Sequence, residues 1–317
     1  EEIVRTLERV HYAADNIDGV LQALQVLRFA GSASDEEIEV LAGLSQEPPE
    51  LPPNSLEREL YDRYLRPEGL GPDMTAMLRR GFEAYLASGD VHIDPPEGVV
   101  PKDTPVRLVV DALAPAFGWE QAEVRVVPRA ATPVRVLPTV PPTVVVSEVF
   151  ATEAHEPSLR FEVARAFARA RPEFGLIEGA SAFDAMGFVE AVFGRACTDE
   201  RKYDASLAAK VDEWTARLGD FALPDGVEPR PREDWPSIGT LRDLATITAV
   251  RVGVVVSFDS GTAFRRLLDE SYETPPTSIE DLRALLERNT AVRALVHFVL
   301  GEDYLALRRE LGLVVGA

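Results

Sequence analysis

Apolar residues recur at helical spacing along most of the chain. Ile3, Val4, Leu7 and Val10, followed by Ile17, Val20, Leu21, Leu24 and Leu27, predict two helices or one interrupted helix before about Phe29. A short helix follows Ser34, where SDEE supplies a cap and early acidic residues, and it stops near Leu44. Beyond the break QEPPELPPN, helices are predicted over 55–65 and 73–87, the second closed by Gly89. A second joint, DPPEGVVPKDTP, precedes a helix over 106–117. The period then changes. EVRVVP, PVRVLP and TVVVS are short, β-branched and separated by turn residues, which predicts a small one-sided sheet. The first two alternate apolar and charged residues and expect one wet face each, whereas TVVVS is apolar enough to be covered.

From Thr143 the apolar strand TVVVSEVF leads through ATEAHEPS into a long amphipathic helix, LRFEVARAFARARP. The remainder reads as helical. SAFDAMGFVEAVF carries a core stripe of Phe183, Met186, Phe188, Val189, Val192 and Phe193, with Asp184 and Glu190 expected at solvated positions. Leu207, Val211, Trp214 and Leu218 mark a helix over 204–218, and DGVEPRPREDWP is a surface loop closed by Trp235. An apolar, central helix is predicted over 241–257, another is opened by SIED at Ser278, and one or two more cover 291–313. The expected fold is α+β and predominantly helical, divided into an N-terminal helical region (1–95) and a second domain (96–317).

Charge removes several functions from consideration. With 53 acidic against 33 basic residues the net charge is −20, which repels nucleic-acid phosphates and anionic lipid surfaces. No apolar run approaches the ~20 residues that span a bilayer. The single cysteine, Cys197, allows no internal disulfide, fits a reducing cytoplasmic setting, and is expected as a buried structural thiol. The initial residue is Glu1, so a preceding segment, such as helical repeats, is expected.

Chemistry concentrates at FEVAR, Phe161 to Arg165. It has the frame of the zinc-protease motif HExxH, whose two His stand one helical turn apart and share one zinc while the Glu activates bound water. Phe161 and Arg165 occupy the two ligand positions, and only Glu162 is retained. The order of elements, with PPTVVVSEVF before this helix, resembles the M48 family of zinc metallopeptidases, which belongs to the zincins. A second family motif, ExxxD, supplies the third ligand from a later helix. The segment that resembles it is TITAV, with Thr246 at the ligand position and Val250 at that of the Asp, followed by RVGVVVSFDSGTAFRRLL. The resemblance covers about 106–268. PSLRF…RPE and EDYLALRRELGL also resemble the C-terminal parts of deltaproteobacterial tetratricopeptide-repeat proteins that carry such degenerate domains.

The resemblance implies a zincin-like core, with a small sheet packed on helices, flanked by N-terminal and C-terminal helices. It also implies no metal and no cofactor, because all three ligands are replaced. His11, His92, His155 and His297 stand in separate segments without HxxxH or HxH spacing, and a cation at Arg165 repels a dication. Glu162 is expected to pair with an arginine. GxSxG, GxxxxGK[ST] and GxGxxG are absent. Two functions stand: a catalytically inactive scaffold that binds a protein or peptide partner, docking it along Thr143, Val144, Val145 and Val146, or a hydrolase with an unrecognised site using Glu162. Replacement of His by Phe161 favours a plugged cleft.

Overall fold

The computed structural model describes residues 2–44, 50–88, 96–98, 100, 102–128, 130, 132–139, 141–153, 155–199 and 202–313. Gly89 and His92 lie outside them, as do parts of the two proline-rich joints. The N-terminal helices are α1 (Glu2–Ala13), α2 (Ile17–Phe29), α3 (Asp35–Gly43), α4 (Pro72–Ala87) and α5 (Pro105–Leu113). Strands β1 (Glu123–Val127), β2 (Val134–Leu137) and β3 (Thr143–Ser147) come next. Then follow α6 (Glu148–Glu153), α7 (Glu156–Arg169), α8 (Gly175–Gly179), α9 (Ala182–Gly194) and α10 (Ala205–Leu218). The chain closes with α11 (Ile238–Ser257), α12 (Ser260–Ser271), α13 (Ile279–Arg288), α14 (Thr290–Val299) and α15 (Glu302–Glu310). The fold is α+β and mostly helical. No described helix is long and apolar enough to cross a membrane.

Local chemistry accounts for the helix starts. Ser34 and Glu37 form a reciprocal capping box at α3, and Ser278 accepts the Asp281 amide at α13. His155 caps α7, its ring nitrogen facing the Ser158 amide at 3.4 Å, and Pro157 sits in the first turn, where its missing N–H costs nothing. The predicted helix over 55–65 is a correction. Only Tyr61–Leu65 is regular, as a π-helical turn, because the Asn54 and Leu56 amides bond to the Pro115 and Ala116 carbonyls instead of along a helix. The strand expected over 143–150 ends at Ser147, and Glu148 already starts α6.

The sheet has the order β1-β3-β2, with β1 parallel and β2 antiparallel to β3. β3 is therefore central. Thr143, Val144, Val145 and Val146, expected as a docking strand, are buried and paired on both sides, so their backbone offers no edge to a peptide. Nor is the sheet one-sided along β3. Val144 and Val146 enter the main core, while Val145 is buried on the opposite face, where the register sets Arg125 and Arg135 beside it.

Helix α7 runs through the middle of the molecule, against α11, α5, α12 and β2. Every residue from Ser158 to Ala168 is buried, so the amphipathic face expected from its charges is absent. Val26, Leu51, Leu56, Tyr61 and Leu65 join α7, α11 and the sheet in one core. Met77, Leu78 and Phe82 of α4 share a second with Phe188, Val192 and Trp214. Phe29 stacks on Phe264 with centroids 4.1 Å apart, and Asp18 pairs with Arg308 at 2.7 Å, both side chains buried. Residues from both sides of the 95/96 boundary thus share each of these two cores.

Candidate functional site

Phe161, Glu162 and Arg165 face α11 and α12 from successive turns of α7. All three are buried, with Phe161 completely so. Arg165 Nη1 donates to Glu162 Oε1 and Oε2 at 3.2 and 3.1 Å, and Arg165 Nη2 donates to Glu270 at 2.7 Å. Arg266, one turn before Glu270 on α12, donates from Nε to Glu162 Oε1 at 3.2 Å. The expected pairing of Glu162 with an arginine is thus present twice over. Burial works against the charge of Arg165, yet Glu162 and Glu270 hold its guanidinium above the usual arginine range. Burial likewise opposes ionisation of Glu270, and Arg165 outweighs it, so the carboxyl lies below its usual range.

The pocket is filled as well as neutralised. Arg165 lies 5.3 Å over the Phe161 ring, and both abut Gly253 of α11. A Cβ on Gly253 would stand 2.8 Å from the Phe161 ring and 2.9 Å from Arg165 Cγ, so glycine is what lets the helices close here. Glu162 is not free in this state: guanidinium donors meet both its oxygens, Arg165 and Arg266 at Oε1 and Arg165 at Oε2.

Thr246 is not part of this constellation. Arg160 Nε donates to the Val256 carbonyl at 3.1 Å while Phe161 and Arg165 meet Gly253, so α7 and α11 run antiparallel. Thr246 lies seven residues before Gly253, about 10 Å along the helix at 1.5 Å per residue, level with the far end of α7. The α11 residue facing Phe161 and Arg165 is Gly253, and Val250 is a core residue. Arg266 and Glu270 were missed because their i, i+4 spacing is ordinary on any helix, and only the packing of α12 brings them to Glu162.

A shallow depression of about 590 Å³ lies above the network, lined by Ser147, Phe150, His155, Ser158, Arg265 and Arg266. Arg266 separates it from Glu162 while stacking 5.0 Å over Phe150. Among the described residues no three His, Cys, Asp or Glu side chains are grouped as metal ligands. His11 is half-buried, and His155 and His297 are exposed on separate elements.

Several other expectations shift. Glu190 is buried, with Arg232 Nε at 3.2 Å and the Tyr203 hydroxyl donating at 2.9 Å, so it is a structural ion pair and not a solvated position. Asp184 stays at the surface, where the Ser181 hydroxyl and then Lys210 hold its carboxyl below the usual range. Phe183 is exposed, because Ser181 caps α9 and turns its first residues outward. Cys197 is half-buried.

Past the end of α7 a second buried carboxylate sits between two arginines. Arg171 Nε donates to Glu173 at 2.8 Å and Arg79 Nε at 3.1 Å, while Arg171 also donates to the Leu56 and Glu57 carbonyls. Burial would raise the Glu173 carboxyl, but Arg171 and Arg79 bring it down to about 2. The Arg171 guanidinium stacks 3.5 Å from the Tyr61 ring centroid, and burial, then the Glu173 charge, push the Tyr61 hydroxyl up. Arg79 and Arg171 also border a groove of about 290 Å³ beside β2. Comparison with protein-family models, curated proteins and solved structures finds no match to the chain.

Proposed function

We propose that this chain is a catalytically inactive, metallopeptidase-like scaffold that acts by binding a protein or peptide partner. The observation that carries the reading is the Arg165 guanidinium, buried between Glu162 and Glu270 where a metal-dependent site would need its ligands to converge on a cation. Phe161, packed against Gly253, takes up the remaining space. The order of strand, motif-bearing helix and antiparallel partner helix supports descent from a zincin-like core, and function has to follow from the site. A net charge of −20 favours a protein partner over nucleic acid, and the lone cysteine suits the cytoplasm.

The test is the zinc content of protein purified without chelator, followed by a peptide-cleavage assay with added zinc. Neither stoichiometric zinc nor cleavage is expected. Stoichiometric zinc, or cleavage abolished by Glu162→Gln, overturns the reading.

A further inference from the structure

Among the described residues the sheet leaves one edge open, and the groove lies along it. Ser147 N–H donates to the Pro133 carbonyl and Glu123 N–H to the Pro142 carbonyl. With the observed register, Arg135 and Leu137 turn their backbone groups toward β3, and Val134 and Val136 turn theirs outward. The Val134 carbonyl accepts from the Thr132 hydroxyl. Among the described residues the outward N–H and C=O of Val136 have no partner. The other edge is different, since Val100 N–H donates to the Val124 carbonyl of β1.

Beneath this edge, on the face of Val136, the groove has an aromatic floor of Phe117, Trp119 and Phe167, with Trp119 and Phe167 centroids 4.6 Å apart. Its polar lining reverses the sign of the whole protein. Arg58, Arg79 and Arg171 stand against Glu57 and Glu83, and Glu83 is already met by Arg80 at 3.3 Å. The single carboxylate of Glu173 is shared by two guanidiniums, with Arg79 bonded to it through Nε and Nη2 and not Nη1. In a chain of net charge −20 this is a local surplus of positive charge next to an apolar cavity and a strand edge that is unpaired among the described residues.

We infer that this groove binds an extended acidic peptide segment, which pairs with the Val136 backbone, inserts a large apolar side chain beside Trp119, and presents a carboxylate to Arg79 and Arg58. The two side chains belong on one face of the added strand, hence at i and i+2. This rests on the scaffold reading and supplies its docking surface, at the far end of α7 from Glu162. A second copy of this chain is disfavoured as occupant, since edge-to-edge pairing would bring the same arginines together.

The test titrates the ¹⁵N-labelled protein with two capped probes, Ac-Thr-Phe-Thr-Asp-Thr-NH₂ and its reverse-order counterpart, which covers both strand directions. The readout is the indole N–H signal of Trp119, distinguished from Trp214 and Trp235 by Trp119→Phe. A saturable shift with at least one probe is expected, weakened about tenfold or more by replacing Asp with Lys, by N-methylating the central amides of the probe, or by Val136→Pro. The N-methylated probe leaves the protein unaltered, so the inference stays testable if Val136→Pro does not fold. No shift at millimolar probe, equal binding of the Lys and N-methylated probes, or a concentration-dependent dimer through this edge overturns it. Zinc and cleavage are not read in this titration, so failure of the groove and failure of the closed-site reading are separate results.

Discussion

Glu162 and Glu173 are both buried carboxylates held by two arginines, one within α7 and one just past its end, yet they do different work. At Glu162 the partners come from its own helix and from α12, and Arg165 keeps a second acid, Glu270, whose side chain is half exposed. At Glu173 the side chain is sealed, and its arginines arrive from α4 and from a residue that also ties down the backbone at Leu56 and Glu57. The first network closes the contact of α7 with α11 and α12. The second fastens the N-terminal segment to the core. A motif in sequence therefore marks the more replaceable of the two, because redundancy of partners, and not recognisability, sets the cost of losing a buried charge.

Removing Glu173 should be the most damaging change. Glu173→Gln strands two guanidiniums against one neutral amide and is expected to cost about 3–5 kcal/mol in urea unfolding. A loss below about 1 kcal/mol would deny it the fastening role. The same group sets an acid limit. Its folded carboxyl lies at about 2 against an ordinary 4.5, so the unfolded chain binds the extra proton between those values. The stabilisation is complete above pH 4.5 and disappears as pH falls to about 2, roughly 3 kcal/mol at about 1.4 kcal/mol per pH unit. Unfolding free energy measured across that window should decline less steeply in Glu173→Gln.

Glu162→Gln should be milder, about 1–3 kcal/mol, because Arg165 retains Glu270 and Arg266 reaches solvent. If it matched Glu173→Gln, the contrast between the two networks would fail. Gly253→Ala sharpens the same point from the packing side. Alanine gains up to about 1 kcal/mol of helix propensity but loses about 1–3 kcal/mol to overpacking against Phe161, for a net loss near 1 kcal/mol. A stabilised variant would show that α7 and α11 can part. The smallest effect belongs to Glu270→Gln, under about 1 kcal/mol, since half the carboxylate is in water.

Much of the local structure was legible in the residues. The short β-branched runs became β1, β2 and β3 within a residue or two, and Ser34, Asp204 and Ser278 opened helices as their side chains require. The segment 55–65 resisted, since its amides are satisfied by Pro115 and Ala116, distant partners no window can contain. Phe161, Glu162 and Arg165 were singled out from their i, i+4 frame and do meet in space. Thr246 was not recoverable that way, because register between two helices is set by side-chain shape at the contact, here by Gly253.

By itself the sequence determined most helix and strand positions, the acidic surface, the absence of the HExxH histidines and the placement of an arginine at Arg165. Those follow from periodicity, capping and residue identity, which act over a few neighbours. Only the tertiary structure decided that β3 is central and β2 the open edge, that α7 is buried on every side, and that Asp18 reaches Arg308. Strand order, helix register and long-range ion pairs depend on which surfaces exclude water from one another, and that competition is settled among elements far apart in the chain.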